Sequence, residues 1–427
     1  MLRVFIAIAL ASPVIAQAQA PGQNDGKYIV TFTAGTPQAQ RAAAVQRAGA
    51  TLRFNYSIVD AVAIRVANPN ALAALRNDPS VRSIVPDRPV QAFQSSNGVG
   101  TNAKPGSGGG GTGGQVVPEG VKRVGVPASG SDGSGIGVAI VDTGIDLSNA
   151  DLQQNISPDS FVSPSFGTTC QDDNAHGTHV AGIVAAFDNQ IGTVGVAPKA
   201  TLYCVKVLDA AGNGSDSDVI AGLEWVSGHT AIRVVNMSLG RDASANPADD
   251  EPIHDAVRSL YNSGVTVVVA AGNEAAKDAK NMVPAGFSEV MAVASTTASD
   301  GTNSCRRFSG VIKADTASFF TTDGTIVTIS APGEDKENIN SGCFISSVGI
   351  LSTKLGGGTT RLSGTSMASP HVAGVAARIL QHNPTWTPDQ VRAAVKSTAQ
   401  RNGETPLDSP TVSYSFDGIR EGIALAP

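Results

Sequence analysis

Apolar positions recur with two different periods along this chain, and the change of period divides it. In residues 27–93 a strand-like run from Lys27 to Phe32 is followed by an Ala-rich helical stretch from Pro37 to Ala48, strand patterns at 50–56 and 58–66, a second helix at 69–77 and a last strand from Val81 to Val85. The order βαββαβ predicts a small ferredoxin-like α+β unit. From Gln115 onward the runs are apolar throughout, at 136–141, 201–208, 231–237, 265–271, 290–294 and 326–330, and they alternate with helical stretches at 177–187, 216–228, 251–263, 371–382 and 387–399. Strands that are apolar at every position are buried on both faces. The prediction is therefore a doubly wound, mostly parallel α/β sheet with helices on both faces and a site outside the carboxyl ends of its strands. Between the two regions, residues 94–114 turn to Ser, Asn, Gly and Thr, including Gly108 to Gly111, and read as a flexible linker.

Composition narrows the picture. The chain has 427 residues and a formal net charge of −6, from 30 Lys and Arg against 36 Asp and Glu. That balance argues against nucleic acid or an anionic membrane as a partner, since both need basic patches. With 15% charged residues and 47 glycines the chain reads as folded, with many tight turns. Met1 to Ala20 has the pattern of a signal peptide: Arg3 as the positive start, an apolar stretch from Val4 to Ala11, then Pro13 and small residues. Cleavage after Ala18 is expected, leaving 1–18 as the leader and the rest exported. The apolar run is too short for a membrane span, which needs ~20 residues.

The chemistry gathers around three segments. Gly364-Thr365-Ser366 precedes a helix-like run from Val372 to Leu380, with Pro370 suited to a first turn, so Ser366 is expected at a helix N-terminus. Alone it would most simply be a cap. The run Gly137–Asp142 reads as a buried strand that delivers an acid to its carboxyl end, and His176 stands at the mouth of an apolar helix. Asp142, His176 and Ser366 thus occur in one of the chain orders known for the acid–imidazole–hydroxyl triad. With Val141-Asp142-Thr143-Gly144-Ile145-Asp146, His176-Gly-Thr-His-Val-Ala-Gly182 and Gly364-Thr-Ser-Met-Ala-Ser-Pro-His-Val-Ala-Gly374 all intact, the chain closely resembles the subtilisin-like serine proteases from about Gln115 to its C-terminus.

Peptide hydrolysis assigns the roles. Ser366 is the nucleophile, His176 the base that takes its proton, and Asp142 the group that holds the imidazole tautomer. The resemblance implies an oxyanion hole made by Asn273, in Ala270-Ala-Gly-Asn273, and the backbone N–H of Ser366. It also implies two edges, Gly212-Asn213-Gly214 and Ser238-Leu239-Gly240, that pair with the substrate backbone as an added strand, a contact tolerant of many sequences. The specificity pocket is implied at 238–240, 270–272 and 281–284, with Ala271, Gly272 and Met282 on its walls and a preference for large apolar or aromatic residues. In the same way residues 27–93 look like the family's inhibitory propeptide, with a maturation cut within 94–114 and the catalytic domain at 115–427. A structural calcium site is implied by the side chains of Gln115, Asp151 and Asn189 and the carbonyls of Phe187, Ile191 and Thr193, an all-oxygen set that suits Ca²⁺ over zinc. Partners are then polypeptide substrates and the chain's own propeptide, with the enzyme a monomer.

Four cysteines behind a leader sequence favour disulfides, with three connectivities possible. Cys170–Cys204 and Cys305–Cys343 are preferred: Cys170 lies on the approach to His176 with Cys204 on the neighbouring strand, and the later pair brackets a strand insertion. His179, one turn beyond His176, lacks the companions of a metal site, and His371 reads as a core residue. The glycines of Gly133-Ser-Gly-Ile-Gly137 precede their strand, so they do not make a dinucleotide loop. Sequons at Asn55, Asn213 and Asn236 are discounted. Two other classes share features with this pattern. A catalytically silent relative would lose a triad member or the Asn, and none is lost; an esterase would more often show a G-x-S-x-G elbow, which is absent around Ser366.

Overall fold

Gly137–Asp142 is buried at all six positions, and the structure places it in the middle of the main sheet. It is a computed structural model describing residues 26–93, 114–126, 130–305, 310–400, 408 and 415–427. The expected leader, and all of the linker except Gly114, lie outside the described residues. The elements, in chain order, are β1 (Lys27–Phe32), α1 (Gln38–Arg47), β2 (Thr51–Asn55), β3 (Ala61–Arg65), α2 (Pro69–Arg76), β4 (Val81–Pro86), β5 (Pro89–Ala92), α3 (Glu119–Arg123), β6 (Gly137–Asp142), β7 (Ile156–Val162), α4 (His176–Ala185) and β8 (Thr201–Lys206). They continue with β9 (Asn213–Ser215), α5 (Asp216–Ser227), β10 (Ile232–Met237), β11 (Leu239–Asp242), α6 (Glu251–Asn262), β12 (Thr266–Ala270), β13 (Met282–Val283), β14 (Met291–Thr297), β15 (Gly301–Asn303), β16 (Gly310–Ile312), β17 (Val327–Ile339), β18 (Ile345–Thr353), β19 (Thr359–Leu362), α7 (Thr365–His382) and α8 (Pro388–Thr398).

The main sheet runs β17-β14-β12-β10-β6-β8-β7 in parallel, with β15 and β16 beyond β17. Side chains alternate across it with the two-residue period of a strand. Val138, Ile140, Val234 and Val268 join one core with α4, α7 and α8, whereas Ala139, Val141, Val235, Val267 and Val269 join another with α5 and α6. This is the doubly wound α/β class expected from the continuous apolar runs, and Asp142 emerges at the carboxyl end of the central strand.

Two features differ from the sequence expectation. Helix α7 begins at Thr365, six residues before the predicted 371, so Ser366 lies within its first turn and Pro370 inside the helix. A proline has no N–H for the carbonyl four residues back. Ser366 is that residue, and the Ser238 hydroxyl donates to its oxygen at 2.9 Å in place of the missing amide. The apolar run at 326–330 is the start of the thirteen-residue β17, which folds back antiparallel onto β18.

Residues 27–86 form a separate four-stranded sheet in the order β2-β3-β1-β4. Val30, Phe32, Val62 and Ile64 pack with Ala44, Val45 and Leu75 of α1 and α2. The opposite face, with Ile29, Ala61, Ala63 and Val85, shares a core with α5 and α6. Polar contacts fasten the same junction: Tyr56 Oη donates to Ser217 O at 2.9 Å, and Arg53 Nη1 donates to Ser217 Oγ at 2.8 Å.

Both preferred disulfides are present, Cys170–Cys204 and Cys305–Cys343, closing spans of 34 and 38 residues. The second ties the loop after β15 to the tip of the β17–β18 hairpin. Chain-entropy arithmetic assigns a loop of this length about 3–4 kcal/mol. A Cys305→Ser, Cys343→Ser double variant is expected to lose about that much unfolding free energy, read as a lower guanidinium midpoint with a steeper slope as the unfolded chain expands; equal midpoints would show that the hairpin stands without its bond.

Candidate active site

Helix α4 starts abruptly because Asp172 satisfies the chain at its mouth. Its carboxylate accepts from Ala175 N at 3.1 Å, Thr178 N at 3.0 Å and the hydroxyls of Thr143 at 2.9 Å and Thr178 at 2.5 Å. His176 is thereby set over the end of β6, where Gly177 passes so close that an added Cβ would lie 2.1 Å from Gly144 O. The imidazole Nδ1 meets Asp142 Oδ1 at 2.8 Å and Oδ2 at 3.0 Å, with both side chains fully buried. Its Nε2 is buried without a partner.

Ser366 enters on α7, which packs against α4 on the same face of the sheet. Its hydroxyl donates to the carbonyl oxygen of Phe93 at 2.8 Å and to Ser238 O at 3.1 Å, not to His176. The same Phe93 oxygen accepts from Asn273 Nδ2 at 2.9 Å. Asn273 cannot turn over freely, because its Oδ1 already accepts from Thr365 N and Thr365 Oγ1, both at 2.9 Å. Gly364, at φ +152°, leaves the space in which the Phe93 oxygen sits; a Cβ there would be 3.0 Å from both that oxygen and Asn273 Nδ2.

The groove is filled by the chain's own β5. It pairs antiparallel with β9 on one side, Gln91 opposite Asn213 and Val90 opposite Gly214, and with β11 on the other, Ala92 opposite Leu239 and Gln91 opposite Gly240. Ala92 N donates to Gly212 O at 2.9 Å and Phe93 N to Ser238 O at 3.2 Å. The two segments singled out in the sequence, 212–214 and 238–240, thus grip one strand between them. The Phe93 ring covers Gly240, where a Cβ would come within 2.5 Å of it. Of the other expected pocket residues, Ala271 and Met282 are buried, and Gly272 gives its N–H to Thr365 Oγ1 at 3.2 Å with the Met282 methyl beside it.

The other histidines do different work. His179 Nε2 meets Ile350 O at 3.0 Å, and His371 Nδ1 meets Met367 O at 2.7 Å. Burial pushes His179 down to about 3 and His371 down to about 4, so both are neutral core groups. Asn236, one of the discounted sequons, is fully buried and donates to Ser238 Oγ at 3.0 Å.

The expected calcium ligands also come together. Gln115 Nε2 donates to Phe187 O at 2.6 Å and Thr193 O at 3.0 Å, and its Oε1 accepts from Gln190 N at 3.1 Å. Asn189 Oδ1 lies 3.5 Å from Gln115 Nε2 and accepts from Ile191 N at 3.0 Å. Asp151 Oδ2 accepts from Thr193 N at 2.8 Å, while its buried Oδ1 has no partner. Burial pushes the Asp151 carboxyl up to about 6. Converging carbonyl and amide oxygens around an under-satisfied carboxylate fit a hard cation, with the Gln115 amide turned to present its oxygen. Among the described residues no group of three or more His, Cys, Asp or Glu gathers to hold a metal, here or elsewhere; the oxygens at this site come from one carboxylate, amides and carbonyls.

Several positions carry no mark in the sequence. Asp172 could have been suspected from Asp172-Asp-Asn ahead of a helix start, a capping composition. Phe93, the last residue before the Gly-rich stretch, and Thr365, which orients Asn273, have no such signal.

An acid–imidazole pair buried at the carboxyl end of a doubly wound sheet, beside a hydroxyl and an amide donor focused on one carbonyl, defines a hydrolase of the serine type. Residues 133–414 match the profile of the Subtilase family, Peptidase S8, and the chain belongs to that family. It is a serine endopeptidase. Subtilisin E of Bacillus subtilis (strain 168) is 33% identical over 402 residues, 92% of this chain and 90% of that protein. Subtilisin Savinase of Lederbergia lenta is 41% identical over 296 residues, 69% of this chain and 95% of that protein. The crystal structure of a cold adapted subtilisin-like serine proteinase superposes with a TM-score of 0.56 at 31% identity, covering 73% of this chain and 98% of that one.

A buried acidic pair is linked through Ser347 to Ser363, three residues before Ser366. Glu334 and Glu337 on β17 are both fully buried; Ser347 donates to Glu334 and shares a hydrogen bond of 2.7 Å with Ser363. Burial, then the neighbouring Glu337, raises the Glu334 carboxyl well above the ordinary range, and burial raises Glu337 as well. A folded-state pKa above the unfolded one means stability that is full in acid and lost as pH rises towards the folded value, at about 1.4 kcal/mol per pH unit for each titrating group. In protein carrying Ser366→Ala, the unfolding midpoint is expected to fall as pH rises above the ordinary glutamate value of 4.5. Glu334→Gln is expected to flatten that slope, and an unchanged slope would exclude the pair as its source.

Proposed function

We propose that this chain is a secreted endopeptidase of the subtilisin type, made as a precursor that processes itself and then cuts polypeptides of varied sequence. Asp142, His176 and Ser366 act as its triad, with an acyl-enzyme intermediate. The observation that carries this reading is the Phe93 carbonyl, held by the Ser366 hydroxyl and the Asn273 amide at the end of a strand laid antiparallel in the groove. A peptide in that pose meets its nucleophile and its oxyanion donor together.

The residues then divide the work. Asp142 fixes Nδ1 of His176 as the protonated nitrogen, which turns the lone pair of Nε2 towards the hydroxyl. Rotation about the Cα–Cβ bond of Ser366 carries its hydroxyl from the carbonyl oxygen to that unpartnered nitrogen and frees Oγ to attack. The negative charge that develops on the carbonyl oxygen falls between Asn273 Nδ2 and the backbone N–H of Ser366. Main-chain pairing on 212–214 and 238–240 supplies most of the grip, so specificity is broad, with a large apolar residue seated over Gly240. Residues 27–93 act as the intramolecular inhibitor, supported by the strand they leave in the groove. Secretion rests on the leader sequence; no helix among the described residues is long and apolar enough to cross a membrane.

Gln115, Asp151, Asn189 and the carbonyls of Phe187, Ile191 and Thr193 would hold Ca²⁺. When bound, the ion would neutralise Asp151 and tie the 187–193 loop to the arm at Gln115. These residues lie away from the reacting atoms, so their role is structural.

Asn273→Ala is expected to lower kcat on a chromogenic peptide by about 10²–10³-fold, the order seen on removing one oxyanion donor, with KM little changed. Ser366→Ala is expected to abolish casein cleavage, as is a serine-directed fluorophosphonate; casein cleavage that survives both would overturn the reading. For the cation, free calcium at about a hundred times its dissociation constant is expected to add about 2.7 kcal/mol to unfolding. That gain should vanish with chelator and in Asp151→Asn, both followed by thermal melting.

A further inference from the structure

We infer that the first bond this chain hydrolyses is its own peptide bond on the carboxyl side of Phe93, so that the catalytic chain begins at Gln94 and keeps the Gly-rich stretch 94–114 as an N-terminal extension. This rests on the self-processing reading and narrows it from a stretch of linker to one bond. Composition alone favours a cut anywhere in the glycine-rich stretch. The structure points instead to Phe93, the last described residue of the strand held in the groove.

The choice of bond is a question of register. Antiparallel pairing on both edges fixes which residue faces which, and a slip by one position would turn every side chain to the other face. The Phe93 ring would leave Gly240. A slip by two would keep the faces but break the anchors upstream. Asp87 accepts from Ser217 N at 2.9 Å and Ser217 Oγ at 2.7 Å, at the N-terminus of α5, and holds Arg53 at 3.1 Å. Arg88 pairs with Asp249 at 3.0 Å, and its carbonyl accepts from Asp216 N at 2.9 Å. With residues 87 and 88 fastened and the chain between extended, the carbonyl that reaches Ser366 and Asn273 is that of residue 93. The catalytic domain's start is held separately: Val116 N donates to Gly192 O at 2.9 Å and Gln115 N to Gln190 O at 3.2 Å. Docking of that arm therefore coexists with β5 in the groove.

The step is an ordinary acyl transfer. Ser366 Oγ bonds to the Phe93 carbonyl carbon as its proton passes to His176 Nε2; the carbon–nitrogen bond to Gln94 breaks and the departing amine takes that proton. Water then attacks the ester, giving its proton to His176. The serine oxygen leaves with that proton, and Phe93 ends as a carboxylate.

The test is a time course of the full precursor, read by intact mass and N-terminal sequencing at the earliest times, before later trimming. Four forms are compared: the unaltered chain, Ser366→Ala, Phe93→Tyr and Phe93→Asp. The unaltered chain and Phe93→Tyr are expected to yield a chain beginning at Gln94 and a fragment ending at residue 93. Phe93→Asp, which sets a charge over an apolar pocket, should slow that cut by about 10²-fold. Ser366→Ala should stay whole. A serine-dependent first cut at any later bond, with no fragment ending at residue 93, overturns the bond assignment and leaves self-processing standing. Equal maturation of the Ser366→Ala form overturns self-processing itself.

Discussion

Everything in the site depends on a carboxylate and an imidazole kept together where water does not reach. Asp142 and His176 are fully buried, 2.8 Å apart, and neither would be stable there alone, since an unpaired buried charge costs far more than a paired one. The surrounding structure is arranged to make that pairing the easiest outcome. The central strand carries the acid to the sheet's rim, Asp172 stops the chain and begins a helix at the histidine, and Gly177 lets the two backbones approach. A third long-range element, α7, packed beside α4 on the same face of the sheet, then brings the hydroxyl.

Against this fixed pair the groove is a general-purpose device. It offers two strand edges, and what lies between them at present is the chain itself. The N-terminal unit is fastened by one sheet face to α5 and α6 and by Asp87, Arg88 and Arg53 to the starts of those helices. Its last strand then lies antiparallel in the groove with the Phe93 carbonyl between the Ser366 hydroxyl and the Asn273 amide. On the function proposed above, inhibition and the pose required for cleavage would use these same contacts.

Much of this was legible in the sequence because the informative residues obey local rules. The two-residue alternation of Val138 and Ile140 against Ala139 and Val141 encodes a sheet covered on both faces. The helices were legible to within a residue or two where an apolar stripe runs their length. Helix α7 was the exception. Its first turn is Thr365-Ser-Met-Ala-Ser369 followed by Pro370, a composition that argues for a loop until the Ser238 hydroxyl is seen taking the place of the absent amide. The short edge strands β9 and β11 were legible only through the family resemblance, and β5 not at all as a strand, since it gains its form from edges more than a hundred residues away in the chain. The same holds for Thr365 and Phe93, whose importance lies in what they touch.

Ser238 joins two tasks that could have been kept apart. Its carbonyl takes the N–H of Phe93, the last residue of the strand in the groove, and its hydroxyl supports the carbonyl of Ser366, the proposed nucleophile. A backbone shift on the recognition edge is thus felt by the reactive turn through a single side chain. Retuning what the enzyme accepts by remodelling that edge would alter the reactivity of the hydroxyl as well, so preference and turnover in this protein are mechanically linked traits.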